Sequence, residues 1–99
     1  MTRLVVLGSG SKGNALAIEH GGETLLVDVG FSAREIRRRA AAAAVSLDRV
    51  AGIALTHEHG DHIKGLKVFL KQFPLPVFAT PQTSHVVREQ GIDGGTWKT

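Results

Sequence analysis

The sequence predicts an α/β or α+β fold in which a mixed sheet carries helices on one face. Three observations lead there. Short apolar runs follow one another early in the chain with only glycine-rich turns between them. Further along, helix-forming and strand-forming segments alternate, the pattern of parallel strands joined by crossover helices. The composition is globular, with 42% hydrophobic and 21% charged residues in 99, so one small unit is expected and a deep cleft between two complete layers is not.

Leu4 to Leu7 has the pattern of a short buried strand and ends in Gly8-Ser9-Gly10-Ser11-Lys12-Gly13-Asn14, a turn-forming cluster. Ala15 to Glu19 is a second strand, Gly21-Gly22 a hairpin turn, and Thr24 to Val29 a third strand. Ser32 is a good N-cap with Glu35 at the capping-box position, and Ala33 to Ala44 is almost all good helix formers. Val50 to Leu55 is another compact apolar run. Ile63, Leu66, Leu70 and Phe73 then recur at three- and four-residue steps with Lys64, Lys67 and Lys71 opposite, which predicts one amphipathic helix ending at Pro74. Val77 to Ala79 is a last strand, and Thr80-Pro81 opens a helix running to Gln90 and closed by Gly91. The tail from Gly91 to Thr99 carries little structural signal.

The chain has no cysteine, which removes disulfides, thiolate metal sites, iron-sulfur clusters and cysteine nucleophiles. Any metal would sit among nitrogen and oxygen donors. The apolar run behind Arg3 is shorter than the roughly 7 to 15 residues of a secretory core, and no stretch approaches the roughly 20 of a membrane span. A soluble, cytoplasmic protein with no membrane partner is the expectation. Lys and Arg outnumber Asp and Glu by 12 to 9, a surplus that gives only a slight lean toward a polyanion such as nucleic acid. Arg34, Arg37, Arg38 and Arg39 form one basic set and Lys64, Lys67 and Lys71 another; each fits a solvated helix face better than a backbone track.

The segment that carries chemistry is His57-x-His59-x-Asp61-His62. Two imidazoles at alternate positions of an extended segment project to the same side, and Asp61 and His62 at the opening of a helix can face a point close by. One segment thus offers ligands to two neighbouring divalent ions. Imidazole and carboxylate suit zinc, and also manganese or iron. Glu58 does not make this a zincin helix, because the second histidine of that pattern would fall on Asp61 and Gly60 interrupts the helix.

Leu55-Thr56-His57-Glu58-His59-Gly60-Asp61-His62 resembles the metal signature of the metallo-β-lactamase superfamily. Leu7 to Asn14, Leu26-Val27-Asp28-Val29-Gly30 and Asp61-His62-Ile63-Lys64-Gly65-Leu66 are most similar to its WalJ/YycJ-like branch. The resemblance runs from about Arg3 to Glu89 and implies an αββα sandwich and a metal-dependent hydrolase, in this branch a five-prime exonuclease on double-stranded DNA. Carried over by residue, it makes His57 and His59 ligands of a first metal and Asp61 and His62 ligands of a second, the last two being the catalytic pair. It places Asp28 beneath the metals, where a carboxylate fixes the orientation of a ligating imidazole. Ser11 and Lys12, in the glycine-rich turn, are candidates to meet a substrate phosphate.

The same resemblance implies that residues 1–99 form the N-terminal half of such a domain, since the superfamily draws a further histidine for each metal and a bridging aspartate from later segments. A half site predicts poor or no activity for these residues alone. An uncovered sheet face predicts self-association. His20 and His85 are expected on the surface. Two other classes stay open: a non-catalytic metal-binding or interaction fragment, and a dinucleotide-binding module built on Gly8-x-Gly10-x-x-Gly13. The second is weak, because a parallel crossover takes a dozen or more residues and Asn14 to Thr24 suits a hairpin better.

Overall fold

The computed structural model describes residues 2–92 and 94–98; Met1, Asp93 and Thr99 lie outside them, and with them the two ends of the predicted 1–99 unit. Six strands form one mixed sheet in sequence order. They are β1 (Thr2–Gly8), β2 (Ala15–His20), β3 (Glu23–Val27), β4 (Val50–Ala54), β5 (Pro76–Phe78) and β6 (Thr96–Lys98). The first three pair antiparallel and β3 to β6 pair parallel. The helices are α1 (Ala33–Ala42), α2 (Gly60–Ile63), α3 (Leu66–Gln72) and α4 (Pro81–Glu89), with a single 3₁₀ turn at Leu47–Arg49.

Each parallel connection steps one strand further in the same direction, and crossovers of one hand then put α1, α3 and α4 on the same face. That face is the core. Leu7, Ala17, Leu26, Ile53 and Val77 from the sheet meet Ile36, Leu66, Phe69, Leu70 and Val87 from the helices, all buried. The opposite face is apolar and open: Leu4, Val6 and Phe78 are 65%, 66% and 42% exposed. Among the described residues no helix is long and apolar enough to cross a membrane.

The antiparallel pairing of β1 with β2 removes the dinucleotide reading, which needs a crossover between parallel strands. Two glycines of that pattern have a packing reason instead. A Cβ on Gly8 or Gly13 would lie 2.3 or 2.6 Å from the Phe31 ring, so both are small to let the loop lie on that ring. The Gly21-Gly22 turn has positive φ at both residues, +60° and +85°, the conformation that matches hairpin twist.

Four predicted boundaries change. The third strand stops at Val27 and not Val29, because Asp28 turns to φ +65°. The first helix stops two residues early, and Ala44 takes φ +58°. The single amphipathic helix after His62 is two, broken at Gly65, whose amide donates to the Val29 carbonyl at 3.0 Å. The tail contains β6, a short strand whose Trp97 indole donates to the Gly94 carbonyl at 2.9 Å. Ser32 does cap α1, accepting from the Glu35 amide at 3.2 Å. The Glu35 carboxylate, however, turns to Arg38 and Arg39 and leaves the capping box half made.

Candidate metal centre

The candidate residues gather at the carboxyl ends of β3 and β4, where open parallel sheets place their ligands. Asp28 directly follows β3, and the segment from Thr56 to His62 follows β4. Close backbone packing joins the two. The Asp28 amide donates to the Ala54 carbonyl at 2.8 Å and the Val29 amide to the His62 carbonyl at 2.9 Å. A Cβ on Gly30 would lie 1.9 Å from the Asp61 carbonyl oxygen, so only glycine admits this approach.

Asp28 is buried and fully engaged. Its Oδ1 accepts from the Thr56 amide at 2.8 Å, and its Oδ2 accepts from the Thr56 hydroxyl at 2.6 Å and from His62 Nδ1 at 2.7 Å. The Thr56 hydroxyl has one proton and gives it to Asp28, so toward His57 Nδ1, 3.0 Å away, it acts as acceptor. Both imidazoles therefore spend Nδ1 on the protein and keep Nε2 as a free donor atom for a cation.

The histidine rings cluster. The centroids of His57 and His59 are 6.0 Å apart, and those of His57 and His62 4.8 Å. His57 and His59 are exposed at the surface, while Asp61 and His62 are half-buried on α2. His62 Nε2 faces Asp61 Oδ2 at 3.6 Å. With Nδ1 carrying the proton, those are two lone-pair atoms set against each other, a juxtaposition a divalent cation relieves. Among the described residues, nonetheless, no three such side chains already form a complete cage. The donor set fits a metal in chemistry, and its side chains must rotate to close on one.

Sequence reasoning missed two residues here. Thr56 links Asp28 to His57, and Asn14 links the glycine-rich loop to Asp61, donating from its amide nitrogen to Asp61 Oδ2 at 3.0 Å. Both lie inside recognisable motifs, but nothing in periodicity marks them. Glu58 turns away and accepts from Thr83 on α4 at 3.3 Å. His20 bonds Thr2 at 2.7 Å and His85 pairs with Glu89 at 3.2 Å, so both are engaged elsewhere.

Ser9, Asn14, Asp28 and His62 border an open depression of about 230 Å³. Across the loop, Ser9, Ser11, Lys12, Phe31 and Arg39 border a second, of about 370 Å³. Lys64 Nζ donates to the Lys12 carbonyl at 3.3 Å, bringing two cationic side chains to the same loop. The arginines of α1 do not form a uniform basic face, since Arg39 is turned inward, stacking on Phe31 at 4.1 Å and donating to the Leu7 carbonyl at 2.7 Å.

Residues 8–97 match the Lactamase_B family profile, described as the metallo-beta-lactamase superfamily. The chain belongs to that superfamily. A protein called exodeoxyribonuclease YycJ from Bacillus anthracis is 44% identical over 78 residues, which is 79% of this chain and 30% of that relative. Exodeoxyribonuclease WalJ from Streptococcus pneumoniae serotype 2 is 35% identical over 78 residues, or 79% of this chain and 29% of the relative. The crystal structure of MEM-A1, a subclass B3 metallo-beta-lactamase from a soil metagenome library, superposes with TM-score 0.70 at 27% identity over 86% of this chain and 33% of its own. The chain thus spans about a third of the length of these relatives. The expected fold class stands: this is the α/β arrangement of the superfamily, with one sheet and its helices in place. The superfamily comprises hydrolases that bind divalent metals and includes nucleases.

Proposed function

We propose that this chain contributes the first half of a two-metal phosphodiesterase centre in an exodeoxyribonuclease acting on DNA. The observation that carries this reading is the pair of imidazoles, ring centroids 4.8 Å apart, whose Nδ1 atoms are taken by Thr56 and Asp28, with His62 Nε2 standing 3.6 Å from Asp61 Oδ2.

His57 and His59 hold a first divalent ion, and Asp61 and His62, the catalytic pair, hold a second, with zinc favoured and manganese or iron also suited to the ligands. Bound there, the ions supply an activated water and offset the charge that grows on phosphodiester oxygens. Asp28 keeps His62 in one tautomer and one orientation, and Thr56 does the same for His57. Ser11 and Lys12, bordering the depression across the glycine-rich loop from the one that holds His62, meet the phosphate backbone as it leaves the site. Lys64 adds charge to the same rim.

The open apolar face of the sheet favours a second property. Expressed alone, residues 1–99 cover Leu4, Val6 and Phe78 by self-association.

The test uses the full-length protein, stripped with a chelator and reloaded with zinc or manganese, on end-labelled double-stranded DNA. Release of nucleotides from one end, restored by metal and lost in His57→Ala and His62→Ala, supports the reading. Metal uptake without attack on DNA would move the substrate elsewhere, and no metal uptake would end the proposal.

A further inference from the structure

We infer that Asn14 is a positioning residue for Asp61: it fixes the carboxylate on the second metal and locks the glycine-rich loop to that ligand. The inference rests on the metal-centre reading above.

Both protons of the Asn14 amide nitrogen are engaged, one of them shared between two acceptors. The side-chain Oδ1 accepts from the Gly10 amide at 3.1 Å, which sets which end of the side-chain amide is oxygen. Its Nδ2 then donates to the Gly10 carbonyl at 2.8 Å, the Asp61 carbonyl at 3.2 Å and Asp61 Oδ2 at 3.0 Å. The backbone repeats the link, with the Asn14 amide donating to the Asp61 carbonyl at 2.7 Å and the Asn14 carbonyl accepting from Gly30 at 3.0 Å.

This matters because the Asp61 carboxylate has no other hydrogen-bond donor among the described residues. The residue sits on a four-residue helix, and its side chain is 31% exposed. The oxygen that Asn14 binds is the one that stands 3.6 Å from His62 Nε2. Asn14 therefore chooses the rotamer that keeps the carboxylate beside the imidazole. It does so from the last residue of the loop that carries Ser11 and Lys12: the backbone joins loop and helix, and the Asn14 side chain adds the bond to the carboxylate itself.

The residue type is specific. Aspartate would retain the Gly10 amide bond but set an oxygen against three acceptors, and alanine would keep the backbone bond to Asp61 while freeing its carboxylate.

The experiment is a double-mutant cycle on zinc affinity in the full-length protein, read by calorimetric titration of the metal-free form. Parent, Asn14→Ala, Asp61→Ala and the double variant are compared, with the thermal midpoint of each metal-free protein as the fold control. Asn14→Ala is expected to weaken one of two zinc sites by about tenfold to hundredfold. On the Asp61→Ala background it is expected to cost no more. Equal losses on both backgrounds, or no loss on either, would overturn the inference. Should Asn14→Ala not fold, Asn14→Leu, close in size and uncharged, carries the same comparison. A parent that takes up no zinc ends the metal-centre reading itself. A parent that takes up two, with an Asn14 variant unchanged, ends only this one.

Discussion

His62 donates from Nδ1 to Oδ2 of Asp28 at 2.7 Å, across 34 residues of sequence, and the acceptor sits on a backbone at φ +65°. Non-glycine residues adopt that conformation at a cost, which asparagine and aspartate bear best. Asp28→Asn is therefore expected to keep the fold while losing a charged acceptor. Zinc affinity should fall about tenfold to hundredfold with the thermal midpoint nearly unchanged. Asp28→Ala should do more, destabilising by about 1 to 3 kcal/mol because the Thr56 amide and hydroxyl lose their acceptor and alanine is strained at φ +65°. Calorimetric zinc titration and thermal unfolding of both variants check the contrast.

The glycines around the site divide sharply. Gly30→Ala would put its Cβ 1.9 Å from the Asp61 carbonyl and 2.5 Å from the Asn14 amide, both backbone atoms that cannot yield. Gly60→Ala meets nothing within 4 Å and occupies the first position of α2. The first should cost about 3 kcal/mol or more. The second should be neutral or stabilise by up to about 1 kcal/mol. Denaturant midpoints of the two variants decide it, and similar values would count against the close packing of the β3 end on the α2 turn.

Much of this arrangement is legible in the sequence because the strongest local signals agree with the tertiary structure. Gly21-Gly22, Ser32 and Thr80-Pro81 fix a hairpin and two helix starts through backbone chemistry that needs no distant partner. The dense donor run from His57 to His62 marks the site for the same reason. What was not legible depends on long-range contact. At the break, Gly65 packs on the Phe31 carbonyl, 1.7 Å from where a Cβ would lie, and its amide bonds Val29 instead of continuing a helix, and β6 exists because β5 offers it an edge. Asn14 and Thr56 act through partners 47 and 28 residues away, which no spacing rule reaches.

The uncovered sheet face gives a prediction for residues 1–99 expressed alone. Leu4 and Val6 project from β1 and Phe78 from β5 on the side opposite the helices. A contiguous apolar surface of this kind drives association. Sedimentation velocity should show dimers or larger species at micromolar concentration, and Val6→Lys with Phe78→Lys should return the chain to monomer. A parent that is monomeric throughout would refute the proposed association.

Salt dependence isolates the rim. If Lys12 meets a phosphate, Lys12→Gln should reduce the slope of log affinity against log salt by about 0.9 for duplex DNA, leaving sequence preference alone. Lys71→Gln, on the far part of α3, should leave the slope in place. Fluorescence anisotropy with a labelled duplex, in metal-free full-length protein so that nothing is cleaved, reads both. Equal slopes in parent and Lys12→Gln would remove Lys12 from the substrate surface.

Glu35 supplies a pH dependence unconnected with the metals. The Arg38 guanidinium, and then Arg39, hold its carboxyl down at about 2 from an ordinary 4.5. A carboxyl depressed in the folded state stabilises it above the unfolded value and loses that contribution as pH falls toward the folded one. The window thus runs from 4.5 downward to about 2. Glu35→Gln should be slightly less stable than the parent at about pH 6, with the gap narrowing by about pH 3. Because the group lies at the surface with its side chain partly open to solvent, the gap should stay small and shrink further in about 1 M salt. Thermal midpoints across that range provide the measurement. A gap that widened on acidification would mean that the carboxylate's charge destabilises the fold, contrary to its two arginine partners.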